Sequence, residues 1–187
     1  MDSIVSNFTS LEGRIGRQAW WIGVIILIVV NIIISFLILP LVGISMMPNF
    51  AALMADPNNV DAAAVASAMM ATMRTAAWVS LVIFLIFLYP SAALAIKRRH
   101  DKDNSGLDVW IYFGLTALLL LVQAPGLFMT VVEIMPGVPM PTPSLPFVIL
   151  QIIVGIYGIY MLVVLGFLKG TTGPNQYGPD PLGGPAT

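Results

Sequence analysis

Four stretches of this chain carry no charged residue: Ala19–Leu39, Trp78–Ile96, Val109–Val132 and Pro146–Leu168. A bilayer core of about 30 Å is crossed by about 20 predominantly apolar residues in a helix. The first stretch alone is 21 residues long and stops at Pro40. Charged residues make up only 9% of the chain, against 58% hydrophobic, where a soluble domain carries about 25% charged. A soluble fold of this length could not cover its surface with eight basic and nine acidic side chains. The pattern predicts an all-α membrane protein, one domain over residues 1–187 with four transmembrane helices at about 19–39, 78–96, 109–132 and 146–168. The first stretch exceeds the apolar core of a signal peptide, about 7–15 residues, and no small-residue cleavage site follows it directly. It is read as an uncleaved span.

The basic residues set the expected orientation, because cytoplasmic loops carry the excess of Lys and Arg. Arg14, Arg17, Lys97, Arg98, Arg99, Lys102 and Lys169 fall on one side of the four spans, and only Arg74 falls on the other. Both termini and the 97–108 loop are therefore expected in the cytoplasm. Trp20, Trp21, Trp78 and Trp110 lie at span ends, where indole rings favour the interface.

Between the spans the chain is punctuated. Thr9-Ser10-Leu11-Glu12 fits a capping box and predicts a short helix leading to the membrane surface. Residues 45–77 form the longest connection, broken at Met46-Met47-Pro48 and Asp56-Pro57-Asn58-Asn59. After Asn59, a candidate cap, an Ala- and Met-rich helix would place Val65, Met69 and Met73 on one face. Such a stripe serves an adaptable groove or simply packs on its neighbours. Pro90 is expected to kink the second span, Pro125-Gly126 to break the third near its end, and Pro136–Pro146 to make a stiff connection. Gly155, Gly158 and Gly166 allow close helix approach in the fourth span, without the GxxxG spacing. The tail from Lys169 is rich in turn residues.

There is no cysteine and a single histidine, which excludes a disulfide framework, Cys-ligated zinc and a multi-His metal site within one chain. No cofactor, metal or nucleic-acid partner is expected. No ionisable residue lies inside a span, which argues against pumps and ion-coupled transporters. Asn31, Ser35, Ser91, Thr116, Gln123, Gln151, Tyr157 and Tyr160 are read as helix glue rather than a path.

Three polar motifs fall on the side with the basic excess. They are Gly13-Arg14-Ile15-Gly16-Arg17 before Trp20-Trp21, Lys97-Arg98-Arg99-His100-Asp101 with Ser105-Gly106, and Gly170–Pro181, which contains Asn175-Gln176-Tyr177-Gly178-Pro179-Asp180. In this order they resemble the DUF805 family of small bacterial inner-membrane proteins, and the resemblance runs end to end. The family pattern is GR-x-x-R-x-x-(F/W)W, then (K/R)R-x-HD-x-x-x-SG, then N-x-YG-x-(D)P. Leu107 stands where an aromatic usually follows the SG pair, and the 45–77 connection is long for the family. The resemblance implies a topology and no activity, because the family's function is unknown.

The candidate site is thus a cytoplasmic polar cluster of Arg14, Arg17, Lys97, Arg98, Arg99, His100, Asp101, Ser105, Gly106, Asn175, Tyr177, Gly178 and Asp180. His100 and Asp101 can serve as base and orienter, or they can cap the helix end and pair with the arginines. Lys97-Arg98-Arg99 can hold an anionic lipid headgroup or act only as a topology determinant. Asn175, Tyr177 and Gly178 can close over a ligand or form a tail docked on the loop. The clearest contacts to expect are Arg14 or Arg17 with Asp101, and the 175–180 turn against His100. By subtraction the reading is a membrane interaction or scaffold protein that binds a partner, a second copy or anionic headgroups. The alternatives are a small oligomeric transporter or channel and, with His100 and Asp101 in catalysis, an enzyme acting on a lipid headgroup or phosphate.

Overall fold

The computed structural model describes residues 4–41, 43–44, 62–126, 128–135 and 138–183. The breakers at 46–48 and 56–59, Asn59 itself, and Pro136 lie outside those residues. Apart from one hairpin, the described elements are helices. A single turn, α1, spans Ser6–Thr9. Helix α2 begins at Arg17–Ile33 and runs on through a π-helical turn at Ile34–Ile38 to Leu39–Leu41. Helix α3 is Ala62–His100, α4 is Leu107–Gln123, and α5 is Leu145–Leu162 with a closing π turn at Val163–Phe167. Strands β1, Met129–Met135, and β2, Val138–Pro143, pair antiparallel between α4 and α5.

Among the described residues three helices are long and apolar enough to cross a membrane: Arg17–Leu41, Ala63–His100 and Leu145–Phe167. Helix α4 is equally apolar but has 17 residues. The neighbours α2–α3, α3–α4 and α4–α5 pack along the chain, and the end of α5 closes back on α2. The start of α2, the end of α3, the start of α4 and the end of α5 therefore meet at one end of the bundle, the polar end.

Several elements differ from the sequence expectation. The 62–77 stretch is continuous with the span after it, so α3 has 39 residues. At 1.5 Å per residue it is about 58 Å long, near twice a bilayer core. Pro90 sits inside it without ending it. The capping box does not start a helix: Thr9 closes α1 with its hydroxyl on the Val5 carbonyl at 3.0 Å, and Ser10 Oγ accepts the Glu12 N–H.

Helix α4 stops at Gln123, short of the expected Val132. Pro125 cannot continue it, and Gly126 turns out of it at φ +73°. From Met129 the chain is strand. Thr130 pairs with Thr142 and Val132 with Met140. Pro139, Pro141 and Pro143 alternate along β2, so their missing N–H groups all fall on the edge facing away from β1, where a strand tolerates proline. β2 packs against α3.

The core sits at the polar end. Ile15, Trp20, Leu94, Ile96, Val109, Met161 and Leu165 are all buried together there. Leu94 packs so closely on α2 that a Cβ at Gly23 would lie 2.5 Å from its Cδ2. Gly166 serves the end of α5 in the same way, where an added Cβ would meet Trp21 Cζ2 at 2.8 Å. A Cβ on Gly158 would touch Tyr112 at 3.3 Å, whereas Gly155 has open space beside it. Trp20 is therefore core rather than interface, while Trp78 and Trp110 stay exposed. Further along, Ile25, Val29 and Phe36 on α2 and Ile152, Ile156 and Ile159 on α5 are exposed. Such a surface suits hydrocarbon and not water.

Candidate functional site

The polar end is built around one carboxylate. Asp101 comes directly after the last residue of α3 and is 4% exposed. Its Oδ1 accepts Arg14 Nη2 at 3.1 Å, and its Oδ2 accepts Arg98 Nη1. Arg98 is one helical turn back on α3, so helix geometry alone brings it within reach. Arg14 arrives from the segment ahead of α2. A buried carboxylate between two guanidiniums is stable only if the remaining donors are also satisfied, and most are. Arg98 Nε donates to the Leu165 carbonyl at 2.8 Å and Nη2 to that of Leu168. Arg14 donates to the carbonyls of Thr171 and Gly173, both at 2.9 Å, and of Gly178 at 3.2 Å.

These contacts close two sets of orphan groups at once. A helix ends with carbonyls that have no intrahelical partner, and cations there also favour the macrodipole. Arg98 takes those at the end of α5, Arg17 Nη1 takes Phe167 O at 3.2 Å, and Trp21 Nε1 takes Gly166 O at 3.1 Å. Arg14 meanwhile gathers carbonyls of the tail, whose turns leave them pointing inward.

The tail folds back over the end of α3. Thr171 donates both its N–H, at 2.8 Å, and its hydroxyl, at 3.0 Å, to the Asp101 carbonyl. Asn175 Nδ2 donates to His100 O at 2.9 Å. Tyr177 lies flat on the His100 ring, and His100 Nδ1 faces Gly13 O at 3.1 Å. Loss of water contact pushes the His100 pKa below its ordinary value, against the smaller upward effect of the Gly13 carbonyl. Asp180 ties the tail to itself. Its carboxylate accepts the N–H groups of Leu182 and Gly173, which hold its pKa low. Gly170 must be glycine for this closure, because a Cβ there would lie 1.9 Å from Asp101 Oδ2.

Of the candidate residues, the structure brings Arg14, Arg98, His100, Asp101, Asn175, Tyr177, Gly178 and Asp180 into this one network. Arg17 borders it through Phe167 instead of Asp101. Lys97 Nζ turns to Ser6 O at 2.7 Å, tying down α1. Arg99 forms a two-pronged pair with Asp108, Nε to Oδ1 at 3.1 Å and Nη2 to Oδ2 at 2.9 Å. Gly106, at φ +76°, turns the chain into α4, and Ser105 is exposed. Two open alternatives are narrowed. Asp101 does not orient His100, because its oxygens go to the two arginines. The basic run is also not a surface patch: Lys97 is 1% exposed, Arg98 0% and Arg99 7%.

Sequence reasoning passed over Thr171, Gly170 and Asp108. Thr171 and Gly170 belong to the third motif, and Asp108 is the one acid in the first turn of α4, where an N-terminal helix dipole favours it. The polar residues weighed as the lining of a path do not converge. Asn31 and Ser91 border an apolar wedge of about 390 Å³ between the helices. Gln123 lies near the hairpin, and Gln151 is exposed on the outside of α5.

The model of a family described as a protein of unknown function, DUF805, matches residues 8–179. Among curated proteins the chain is 32% identical over 93 residues to the uncharacterized protein YiiR of Escherichia coli strain K12, and equally to that of strain O157:H7. The alignment covers 50% of this chain and 53% of each relative, so the chain spans about half the length of the curated relatives it matches. No solved structure matches.

Proposed function

We propose, from the premise that this chain belongs to the DUF805 family, that it is a multi-pass scaffold of the bacterial inner membrane. Both termini face the cytoplasm, and a preformed polar cap engages a partner protein or anionic lipid headgroups. The observation that carries this reading is the Asp101 carboxylate held between Arg14 and Arg98. It locks the N-terminal segment, the end of α3 and the tail into one rigid surface at the ends of four helices. A rigid, self-satisfied surface suits recognition, since little ordering remains to be done on binding. His100, with one ring face under Tyr177 and Nδ1 committed to Gly13, is a positioning group in this reading.

Four crossings result if α4 spans as well, since its 17 residues reach the lower limit for a transmembrane helix. The excess of basic residues at the polar end then orients that end to the cytoplasm. Reporter fusions after residues 60, 104, 140 and 187 should read outside, inside, outside, inside. A periplasmic signal at 104 would overturn the orientation, and like signals at 104 and 140 would remove α4 as a span.

A further inference from the structure

Arg17, Lys102 and Lys169 lie at the polar end but outside the Asp101 network. The ion pairs among the described residues are Arg14–Asp101, Arg98–Asp101 and Arg99–Asp108, and none of them includes Arg17, Lys102 or Lys169. These three cations converge all the same. Arg17 donates to Phe167 O at 3.2 Å, and Lys102 Nζ reaches Lys169 O at 3.4 Å, so all three gather around the end of α5. Arg17 and Lys169 border a small notch of about 30 Å³ that Arg98, Gly170 and Thr172 also line. Arg17 is close enough to Arg98 for their charges to repel, and Arg98 and Arg99 likewise repel Lys102, while Asp101 attracts it more weakly. Two carboxylates, Asp101 and Asp180, also line the notch, and both are already engaged. Asp101 is taken by Arg14 and Arg98, and Asp180 by backbone N–H groups.

The depth of these cations says what kind of anion they fit. Arg17 is the first residue of one candidate span, Phe167 the last of another, and Lys102 lies two residues beyond the third. In a bilayer that level is the headgroup layer. Phe167, Leu168 and Leu182, 59%, 44% and 79% exposed, lie beside the cations and give glycerol and upper acyl carbons an apolar seat. A soluble anion would have no use for those contacts.

We infer that Arg17, Lys102 and Lys169 form a collar that binds the phosphate of an anionic phospholipid headgroup at the polar end. The inference rests on the scaffold reading and replaces the buried run Lys97–Arg99 with the exposed Arg17 and Lys169 and the half-buried Lys102. Each such cation is worth roughly fivefold in lipid affinity, and the attraction weakens with salt.

The test uses the full chain in a neutral detergent. Thermal stabilisation is titrated with short-chain phosphatidylglycerol, with short-chain phosphatidylcholine and with inorganic phosphate. The parent should respond to phosphatidylglycerol well before either of the others. Arg17→Gln with Lys169→Gln should need roughly thirtyfold more of it, whereas Arg17→Lys should stay near the parent. Arg74→Gln, far from the collar in sequence and on the other side of the spans, should match the parent. If the parent responds and the Arg17→Gln, Lys169→Gln variant responds equally, the collar is wrong while headgroup binding stands. No preference of the parent for phosphatidylglycerol would remove both the collar and the headgroup reading. An equal response to inorganic phosphate would overturn the lipid as its source.

Discussion

The Tyr177 ring lies face to face with the His100 imidazole, 3.9 Å between centroids and 3° from parallel. One residue belongs to the tail and the other to the last turn of α3, so the stack reports directly on whether the tail is docked. An aromatic contact of this kind is worth about 0.5–1.5 kcal/mol beyond its buried area. Tyr177→Ala should speed hydrogen exchange across residues 171–182, while Tyr177→Phe, which keeps the ring, should leave it near the parent rate. Equal exchange in all three proteins would show that the stack does not hold the tail.

The same stack gives the tail a pH dependence. Burial holds the folded His100 pKa below its ordinary 6.5. The undocked state therefore takes up a proton first as pH falls, and docking weakens from about pH 6.5 downward until the folded ring also protonates. Above that window the contribution is fully present. Protection of the tail amides, taken relative to their intrinsic exchange rate at each pH, should fall between pH 7.5 and 5.5, and His100→Gln should flatten the fall. Asp180 acts in the same direction only in stronger acid, below its ordinary 3.8, so the two are separable.

Removing Asp101 leaves two guanidiniums buried without their counter-charge. Asp101→Ala should cost about 3–5 kcal/mol, the usual penalty for breaking a buried pair, read as thermal stability in detergent. Arg14→Ala should couple to it, because residues in contact depart from additivity by about 0.5–3 kcal/mol. Clean additivity in that double-mutant cycle would mean that the N-terminal segment and the loop act separately.

Two glycines, Gly170 just past the end of α5 and Gly155 in its middle, should behave oppositely. Gly170→Ala drives a methyl into Asp101 and should destabilise by about 1–3 kcal/mol. Gly155→Ala has nothing within 4 Å and should be neutral, or stabilising by up to about 1 kcal/mol through helix propensity. A comparable loss at both positions would contradict the docked tail.

The amino-acid sequence by itself determined where apolar helices can lie and which polar segments flank them, because absence of charge and helix length are local properties. It also marked the three motifs that meet at the polar end, through the ordered spacing of Arg14, His100-Asp101 and Asn175. It could not say that α3 starts as early as Ala62, since an Ala- and Met-rich stretch reads equally well as a separate surface helix. It could not show that Pro139, Pro141 and Pro143 share the free edge of a strand, since proline content alone suggests a stiff linker. Tertiary structure alone decided the partners. Arg14, and not Arg17, reaches Asp101, and Lys97 to Arg99 are enclosed instead of displayed. Spacing puts a guanidinium near the right surface, but only the packing of Trp20, Trp21 and Gly166 between helices fixes which carbonyls are left open and therefore which cation must turn inward to meet them.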